Sequence, residues 1–152
     1  MQAKYFYKDS FMELKNKSID NLEAADLLIQ NGKYASSVHC SYYSCLQLMK
    51  YVIYKYIGKP YSMQDEETKM CGKQNRYKKS SHEYLIDEIG QSLCRRGGEV
   101  LANNVRRNFI KLKENRNISD YYNIKIDERI AKTAKDFSIN IQCVLRSVYK
   151  IN

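Results

Sequence analysis

The 152-residue sequence predicts an all-α protein, specifically a four-helix up-and-down bundle. Apolar residues recur at alternating spacings of three and four along long segments, as they do on one face of a helix. No segment shows the two-residue alternation that is typical of a strand. Turn signals leave only short connections between most of these segments. Long helices joined by short connections run antiparallel and bury their apolar faces against each other.

The first two helices are predicted from regular apolar stripes and clear stop signals. In the first, the stripe ends at Asn31-Gly32, a helix C-cap signal. In the second, Gly58 and Pro60 stop the pattern. The stripe positions are Phe11, Leu14, Ser18, Leu22, Ala25 and Ile29 in helix one, and Ala35, Val38, Tyr42, Cys45, Met49, Val52 and Tyr56 in helix two.

A long, exposed, basic loop is predicted between helices two and three. Residues Lys59 to Lys79 are polar and show no apolar period. Ser80 and Glu83 then have the spacing of a capping box, which predicts the start of helix three. Gly97-Gly98 is expected to break this helix, because each glycine costs ~1 kcal/mol relative to alanine in a helix interior. The apolar stripe of helix three is Leu85, Ile89, Leu93, Leu101, Val105, Phe109 and Leu112.

The last helix is predicted to begin after Asp127, which can cap its first turn. No flexible linker or low-complexity tract divides the chain, so residues 1–152 are predicted to form a single domain. The apolar stripe of this helix is Ile130, Ala134, Phe137, Ile141, Val144 and Val148.

Composition narrows the class of protein and of partner. The net charge is +9, from 26 Lys and Arg against 17 Asp and Glu, with basic residues dense from Lys69 through Lys79 and from Arg106 through Arg116. Such a surface favours an acidic partner such as RNA or DNA, although a lysine-rich surface for solubility is an equally good explanation. Without a run of about 18 apolar residues or a signal-peptide core, we expect a soluble, cytoplasmic protein that does not bind membranes.

The five cysteines are predicted to be free thiols, with no metal site and no cofactor. They form no C-x-x-C pair and have no nearby histidine at zinc-ligand spacing. Three of them lie within apolar helical patterns, where cysteine usually acts as a small core residue: Cys40, Cys45 and Cys143. The other two are Cys71 and Cys94.

The hexapeptide Arg116-Asn117-Ile118-Ser119-Asp120-Tyr121 lies where only a short connection between two helices is needed. Such a turn can be built from Gly, Asn and Ser, so Arg, Asp and Tyr together indicate a functional site. The alternative is a helix C-cap and turn held by an Arg-Asp pair. We interpret Asp120 as the salt-bridge partner that fixes the Arg116 guanidinium, and a catalytic carboxylate is the other interpretation.

Three features together resemble HEPN domains, the small helical bundles of prokaryotic toxin-antitoxin and defence systems. The catalytic branch of that family is a metal-independent ribonuclease, whose motif is Arg, a polar residue and, four to six positions on, His. Arg116 and Asn117 match the first two positions, whereas Tyr121, Tyr122 and Asn123 occupy the places of the His. The three features are Asn31-Gly32-Lys33-Tyr34, Ala35-Ser36-Ser37-Val38-His39-Cys40-Ser41-Tyr42-Tyr43-Ser44 and Arg116-Asn117-x-x-Asp120-Tyr121.

Metal-free RNA cleavage needs a base, an acid and a cation, and the chain offers candidates for each. We assign the transition-state cation to Arg116, phosphate or 2′-OH orientation to Asn117, and an acid or stacking role to Tyr121. His82 is the remaining candidate base and is expected to be exposed, while His39 is expected to pack in the core. The predicted substrate contacts are Arg116, Asp120, Tyr122, Arg106 and Arg107.

The resemblance implies an RNA-directed protein of a toxin-antitoxin or defence system, acting as a metal-independent endoribonuclease. It also implies a homodimer in which the Arg116 segments of two chains line one basic groove, with RNA as ligand and a nucleotidyltransferase-type antitoxin as partner. The alternative is a non-catalytic nucleotide- or RNA-binding module that partners a small nucleotidyltransferase. A purely structural helical adaptor is a third interpretation.

Overall fold

The computed structural model describes the backbone of residues 3–74 and 80–152, and the side chains of residues 12–70 and 80–152. Every regular element in these residues is helical, which confirms the all-α prediction. The helices are α1 (Ala3–Gln30), α2 (Tyr34–Val52), a π-helical segment (Ile53–Ile57) that continues α2, α3 (Tyr61–Gln74), α4 (Ser81–Gly97), α5 (Glu99–Tyr121) and α6 (Glu128–Tyr149).

Several helix ends lie where local sequence signals place them. Gly32 follows α1 at φ 69°, and Gly58 ends the π-helical segment at φ 82°, both in the left-handed region that favours glycine. Ser80 and Glu83 form the complete capping box at the start of α4. The Asp127 carboxylate accepts a hydrogen bond from the Ile130 N–H at 2.8 Å and caps α6.

The predicted long loop and the count of four helices are both wrong, because Tyr61–Gln74 forms α3. Among its described side chains, residues 61–70, only Gln64 is buried, so α3 has no apolar stripe that periodicity could reveal. Polar contacts one turn apart support it instead: Thr68 donates to the Gln64 carbonyl at 2.7 Å, and Lys69 pairs with Asp65 at 2.6 Å. Residues 75–79 of the predicted loop lie outside the described residues.

A polar cluster attaches α3 to α4. Lys59 Nζ lies 2.8 Å from Glu67 of α3 and 3.1 Å from Glu88 of α4. The Tyr84 hydroxyl donates to the same Glu67 carboxylate at 2.5 Å. Because one carboxylate accepts from both Lys59 and Tyr84, Glu67 is the point through which this polar helix is held against α4.

Helix α2 lies at the centre of the fold and contacts α1, α4, α5 and α6. Small polar side chains allow α1 and α2 to approach closely. Ser18 Oγ donates to the Ser44 carbonyl at 2.8 Å, while Ser44 Oγ donates to the Ser18 carbonyl at 2.5 Å. Ser37 Oγ donates to the Ala25 carbonyl at 2.9 Å. The hydroxyls of Ser18, Ser37 and Ser44 are therefore all satisfied by carbonyls of the neighbouring helix within the core.

Several core placements differ from expectation, among them those of Cys143 and of the apolar stripe of α6. Cys45 is buried, but Cys40 is half-buried and Cys143 is exposed, so the prediction of a core Cys143 is wrong. The reason is a small rotation of α6: its buried residues are Ala131, Ala134, Ser138, Ile141, Gln142, Leu145 and Tyr149. The predicted positions Ile130, Phe137, Val144 and Val148 flank that stripe and are only partly buried. The side chains of Phe11 and Cys71 lie outside the described residues.

The break between α4 and α5 occurs at the predicted glycine pair. Gly98 has φ 89° and ψ 164°, a backbone conformation essentially restricted to glycine. The chain reverses here, so that α5 packs along α4 and the end of α5 lies near the start of α4. This reversal brings residues around position 82 and position 117 to one groove.

We expect Gly98→Ala and Gly90→Ala to have opposite effects on stability. A Cβ at Gly98 would meet no described atom within 4 Å, so the cost is backbone strain alone, ~1–3 kcal/mol. Gly90 lies inside α4, and its added Cβ would lie 3.5 Å from Arg106 Nη2, an ordinary contact. Gly90→Ala should therefore stabilise the protein by ~0.5–1 kcal/mol through helix propensity. Urea denaturation measures the change in the free energy of unfolding for each variant. A change in the same direction for both variants would contradict this account.

Candidate functional site

Arg116 continues the inward-facing stripe of α5. The buried residues of this helix are Ala102, Val105, Phe109 and Leu112, and the next position at the same spacing is Arg116. Its side chain is only 13% exposed. The predicted turn at 116–121 is therefore wrong, because these residues form the last turns of α5. The apolar stripe stops at Leu112 because the next inward-facing residue, Arg116, is charged, although the helix itself continues.

Three tyrosine rings surround the Arg116 guanidinium. Its Cζ lies 5.7 Å from the ring centroid of Tyr42, 6.0 Å from that of Tyr43 and 5.0 Å from that of Tyr121. Tyr42 and Tyr43 come from α2, so these cation–π contacts join α5 to the central helix. Burial lowers the pKa of Arg116, but Asp120, Tyr121 and Tyr43 outweigh it, and the pKa lies above its ordinary value.

One oxygen of Asp120 links Arg116 to His39. Asp120 Oδ2 lies 2.7 Å from Arg116 Nε and 3.2 Å from His39 Nδ1. The Arg116 N–H does not point along the shorter contact, which is therefore an ion pair rather than a linear hydrogen bond. The expected ion pair between Arg116 and Asp120 is present. Asp120 also connects the end of α5 to α2.

His39 is at the surface, so its predicted place in the core is wrong. Its side chain is 46% exposed, and its ring lies against Tyr43 with 4.5 Å between the centroids. The core-facing residues around it on α2 are Val38 and Tyr42, and one helical position is a rotation of about 100°. That rotation carries His39 out of the core and to the side of α2 where α5 ends.

His82 contacts the Arg116 cluster from the start of α4. Its Nδ1 lies 2.6 Å from the Tyr42 hydroxyl, beneath the Arg116 guanidinium. It is half-buried rather than fully exposed. Burial lowers the pKa of His82, and the cations of Lys113, Arg116 and Lys50 lower it further against a small opposing effect of Glu83. The neutral form of His82 is therefore favoured more strongly than in a free imidazole. Burial also raises the pKa of Tyr42, which keeps its proton.

A groove of about 440 Å³ runs between α4 and α5, and Asn117, the neighbour of Arg116, is one of its lining residues. Ion pairs of Arg106 with Asp87 at 2.8 Å and of Lys113 with Glu83 at 3.9 Å flank it. Asn117 lies at one end and accepts from Arg116 Nη1 at 3.4 Å. The lining residues are His82, Glu83, Ile86, Asp87, Arg106, Phe109, Ile110, Lys113, Glu114 and Asn117.

Residues 11–148 match the HEPN domain family. The chain belongs to the HEPN family. Membership points broadly to a nucleotide- or RNA-related function in toxin or defence systems, and HEPN domains often function as dimers. Comparisons with curated proteins and with solved structures gave no match.

The described part of this HEPN chain contains neither a candidate membrane-spanning helix nor a cluster of metal ligands. No helix among the described residues has the length and apolar composition needed to cross a bilayer. Within the same residues, no three His, Cys, Asp or Glu side chains are grouped so as to hold a metal ion.

The structure brings most of the predicted site residues of this HEPN chain together. Arg116, Asn117, Asp120 and Tyr121 share the end of α5, and His82 joins them through Tyr42. Arg106 lies further along the groove, while Arg107, one position around the helix, does not line it.

Tyr122 lies just past α5 and is largely exposed. Sequence reasoning missed Tyr42, Tyr43, Lys113 and the exposed His39 as members of the site. The three-four spacing of α5, extended by one step to Arg116, was the available signal for an inward-facing cation.

Stability should fall on acidification because of His82. Since its pKa is depressed in the folded state, the unfolded state binds more protons below the ordinary value of 6.5. The stabilising effect of neutral His82 is therefore complete above pH 6.5 and is lost as the pH falls below it. His82→Asn should flatten the dependence of unfolding free energy on pH across this window, as measured by urea denaturation at a series of pH values.

Lys113→Gln is the matched variant for this prediction. It removes the first of the cations that lower the pKa of His82, so its acid sensitivity should lie between wild type and His82→Asn. An unchanged pH dependence in His82→Asn would contradict the assignment.

Proposed function

We propose that this HEPN protein acts on RNA in a toxin-antitoxin or defence system and cleaves it without a metal ion. The proposal takes residues 1–152 as one HEPN-like domain and a homodimer as the working form. The observation that carries it is the convergence on Arg116 of two histidines from other helices, His39 through Asp120 and His82 through Tyr42.

Arg116 suits the role of phosphate ligand and transition-state cation. A guanidinium has five N–H donors, and the Asp120 ion pair engages only one side of it. The aromatic rings hold the group in place, so that binding requires little reorganisation. Asn117 lies beside it and offers an amide to a phosphate oxygen or to the 2′-OH of the substrate.

The surroundings of Arg116 suit a nucleic-acid strand. Tyr121 is 71% exposed and Tyr122 follows it, so both rings are accessible for stacking with bases. The net charge of +9 supports attraction to phosphate. The groove between α4 and α5 begins at Asn117 and extends toward Arg106, which gives a strand a continuous path along one helix face.

A second function is favoured by one observation: the Arg116 side chain is 13% exposed and its charge is partly neutralised by Asp120. Both features weaken the grip on a phosphate. Together with tyrosines in place of the motif histidine, they support a non-catalytic nucleotide- or RNA-binding module that partners a nucleotidyltransferase-type antitoxin.

RNA binding should weaken steeply with salt and depend on Arg116. For a single strand, the slope of log affinity against log salt is ~0.7 per phosphate neutralised. Arg116→Ala should reduce affinity by ~10–100-fold, because a charge-assisted hydrogen bond contributes ~1.5–3 kcal/mol. Fluorescence anisotropy with a labelled single-stranded RNA measures both effects.

Arg95→Ala is the charge-matched control for binding. Arg95 is exposed near the end of α4, at the opposite end of that helix from His82. Its removal should leave affinity within about twofold, since it makes no contact with the groove. Salt-independent binding, or equal losses in both variants, would overturn the proposed RNA site.

Cleavage should survive EDTA, end in 2′,3′-cyclic phosphate and fall ~10²–10³-fold in Arg116→Ala, the effect of removing one transition-state donor. Tyr121→Phe separates two roles: lost cleavage with retained binding makes the phenol an acid, and unchanged cleavage makes it a stacking residue. Gel assays of labelled RNA test each point. Metal-dependent cleavage would contradict the mechanism, and Arg116-dependent binding without any cleavage would favour the second function.

A further inference from the structure

The α5 helix lacks a histidine, whereas α2 presents one at the same place. His39 reaches the end of α5 and contacts the carboxylate that also holds Arg116. We propose that His39, oriented by Asp120, is the catalytic base of this site. The inference rests on the proposed ribonuclease function and deepens it by assigning the proton transfer to a residue of a different helix.

The contact with Asp120 prepares His39 to accept a proton. A carboxylate bound at Nδ1 keeps the ring proton on that nitrogen and leaves the Nε2 lone pair available. The Tyr43 ring lies 4.5 Å from the imidazole, centroid to centroid, and restrains its plane. Because the side chain is 46% exposed, a substrate can reach it.

A hydrogen bond from a side chain to the backbone joins α5 to α2 at this point. Ser119 Oγ donates to the Ala35 carbonyl at 3.0 Å, one residue before Asp120 and one helical turn before His39. The end of α5 is thus tied to the first turns of α2 by two successive contacts. The Ser119 hydrogen bond therefore holds the backbone that carries Asp120 close to the helix that carries His39.

Helix stability does not explain the position of Asp120. The residue lies in the last turn of α5, where the negative end of the helix dipole disfavours a carboxylate. A basic residue at i with an acidic residue at i+4 is also the less favourable order for a helical ion pair. What Asp120 does provide is an oxygen shared by Arg116 and His39.

His82 is less suited to act as the base. Its Nδ1 is bound to Tyr42, whose hydroxyl keeps its proton. When Tyr42 donates to Nδ1, the proton of the neutral imidazole lies on Nε2, and the ring then presents a donor rather than an acceptor. His82 can hydrogen-bond a phosphate oxygen in this form, but it cannot take the 2′-OH proton through Nε2.

The step balances as an ordinary transesterification. His39 Nε2 takes the 2′-OH proton, the 2′-oxygen forms a bond to phosphorus, and the bond from phosphorus to the 5′-oxygen breaks. The leaving 5′-oxygen takes a proton from water, and the hydroxide that remains takes the proton from His39 Nε2, which restores the neutral base. The products are a 2′,3′-cyclic phosphate and a 5′-hydroxyl. Arg116 stabilises the charge that develops on the phosphate, and its ion pair with Asp120 keeps it beside the base.

Single-turnover cleavage of a labelled RNA by His39→Ala tests the assignment. We expect the single-turnover rate constant to fall ~10²-fold or more, the usual contribution of a general base, with RNA affinity within about twofold of wild type. Added imidazole should restore part of the lost rate, because the exposed side chain leaves a site open to solvent. Ser36→Ala, exposed one turn earlier on α2, is the control and should cleave normally.

The Asp120→Asn variant distinguishes a carboxylate that orients His39 from one that only holds Arg116 in place. It keeps the shape of the side chain but removes the charge that neutralises Arg116 and orients His39. We therefore expect tighter RNA binding together with slower cleavage. Weaker binding accompanied by proportionally slower cleavage would show that Asp120 acts only to hold Arg116, and would overturn its role toward His39.

The remaining outcomes separate this inference from the proposed function. Cleavage by His39→Ala within about threefold of wild type, with Arg116→Ala inactive, overturns the inference and leaves the ribonuclease standing. A loss in His39→Ala that imidazole does not restore also overturns it. Wild-type protein that binds RNA through Arg116 but cleaves none overturns both the inference and the cleavage reaction, and leaves only RNA binding.

Discussion

The site depends on one partly buried charge, the guanidinium of Arg116 at an inward-facing position of α5. A charge in such a place is costly unless neighbouring groups compensate for it. Asp120 supplies the opposite charge, and the rings of Tyr42, Tyr43 and Tyr121 supply cation–π contacts, each worth ~0.5–2 kcal/mol. The groups that compensate for the burial of the Arg116 charge are therefore also members of the candidate site.

The central position of α2 makes this arrangement rigid. Tyr42 is buried and joins Arg116 to His82, while Tyr43 and Asp120 hold His39. Serine contacts fix α2 against α1, so the tyrosines project from a well-anchored helix rather than from a loop. Sites carried on helices keep their geometry more precisely than sites on loops.

Local signals predicted most of the helix ends because each has a local cause. The capping box at Ser80 and the cap at Asp127 satisfy backbone groups within four residues, and Gly32, Gly58 and Gly98 adopt positive φ values. Apolar periodicity did not predict a helix that is stabilised by contacts other than the burial of apolar side chains. Helix α3 is stabilised by polar contacts and by the Glu67 cluster, so it carries no apolar stripe. The burial pattern of α6 was displaced by about one residue, because half-buried flanking positions are as apolar as the core.

The sequence by itself determined the all-helical class and the HEPN resemblance, and it predicted a functional site in the segment from Arg116 to Tyr121. These follow from periods, caps and residue types that lie close together along the chain. Only the tertiary structure decided that this segment is helical, that Arg116 points inward and that His39 and His82 lie on either side of it. Positions 39, 82 and 116 are on three different helices, and their meeting depends on how those helices pack. Contacts between residues so far apart along the chain are not revealed by a local motif.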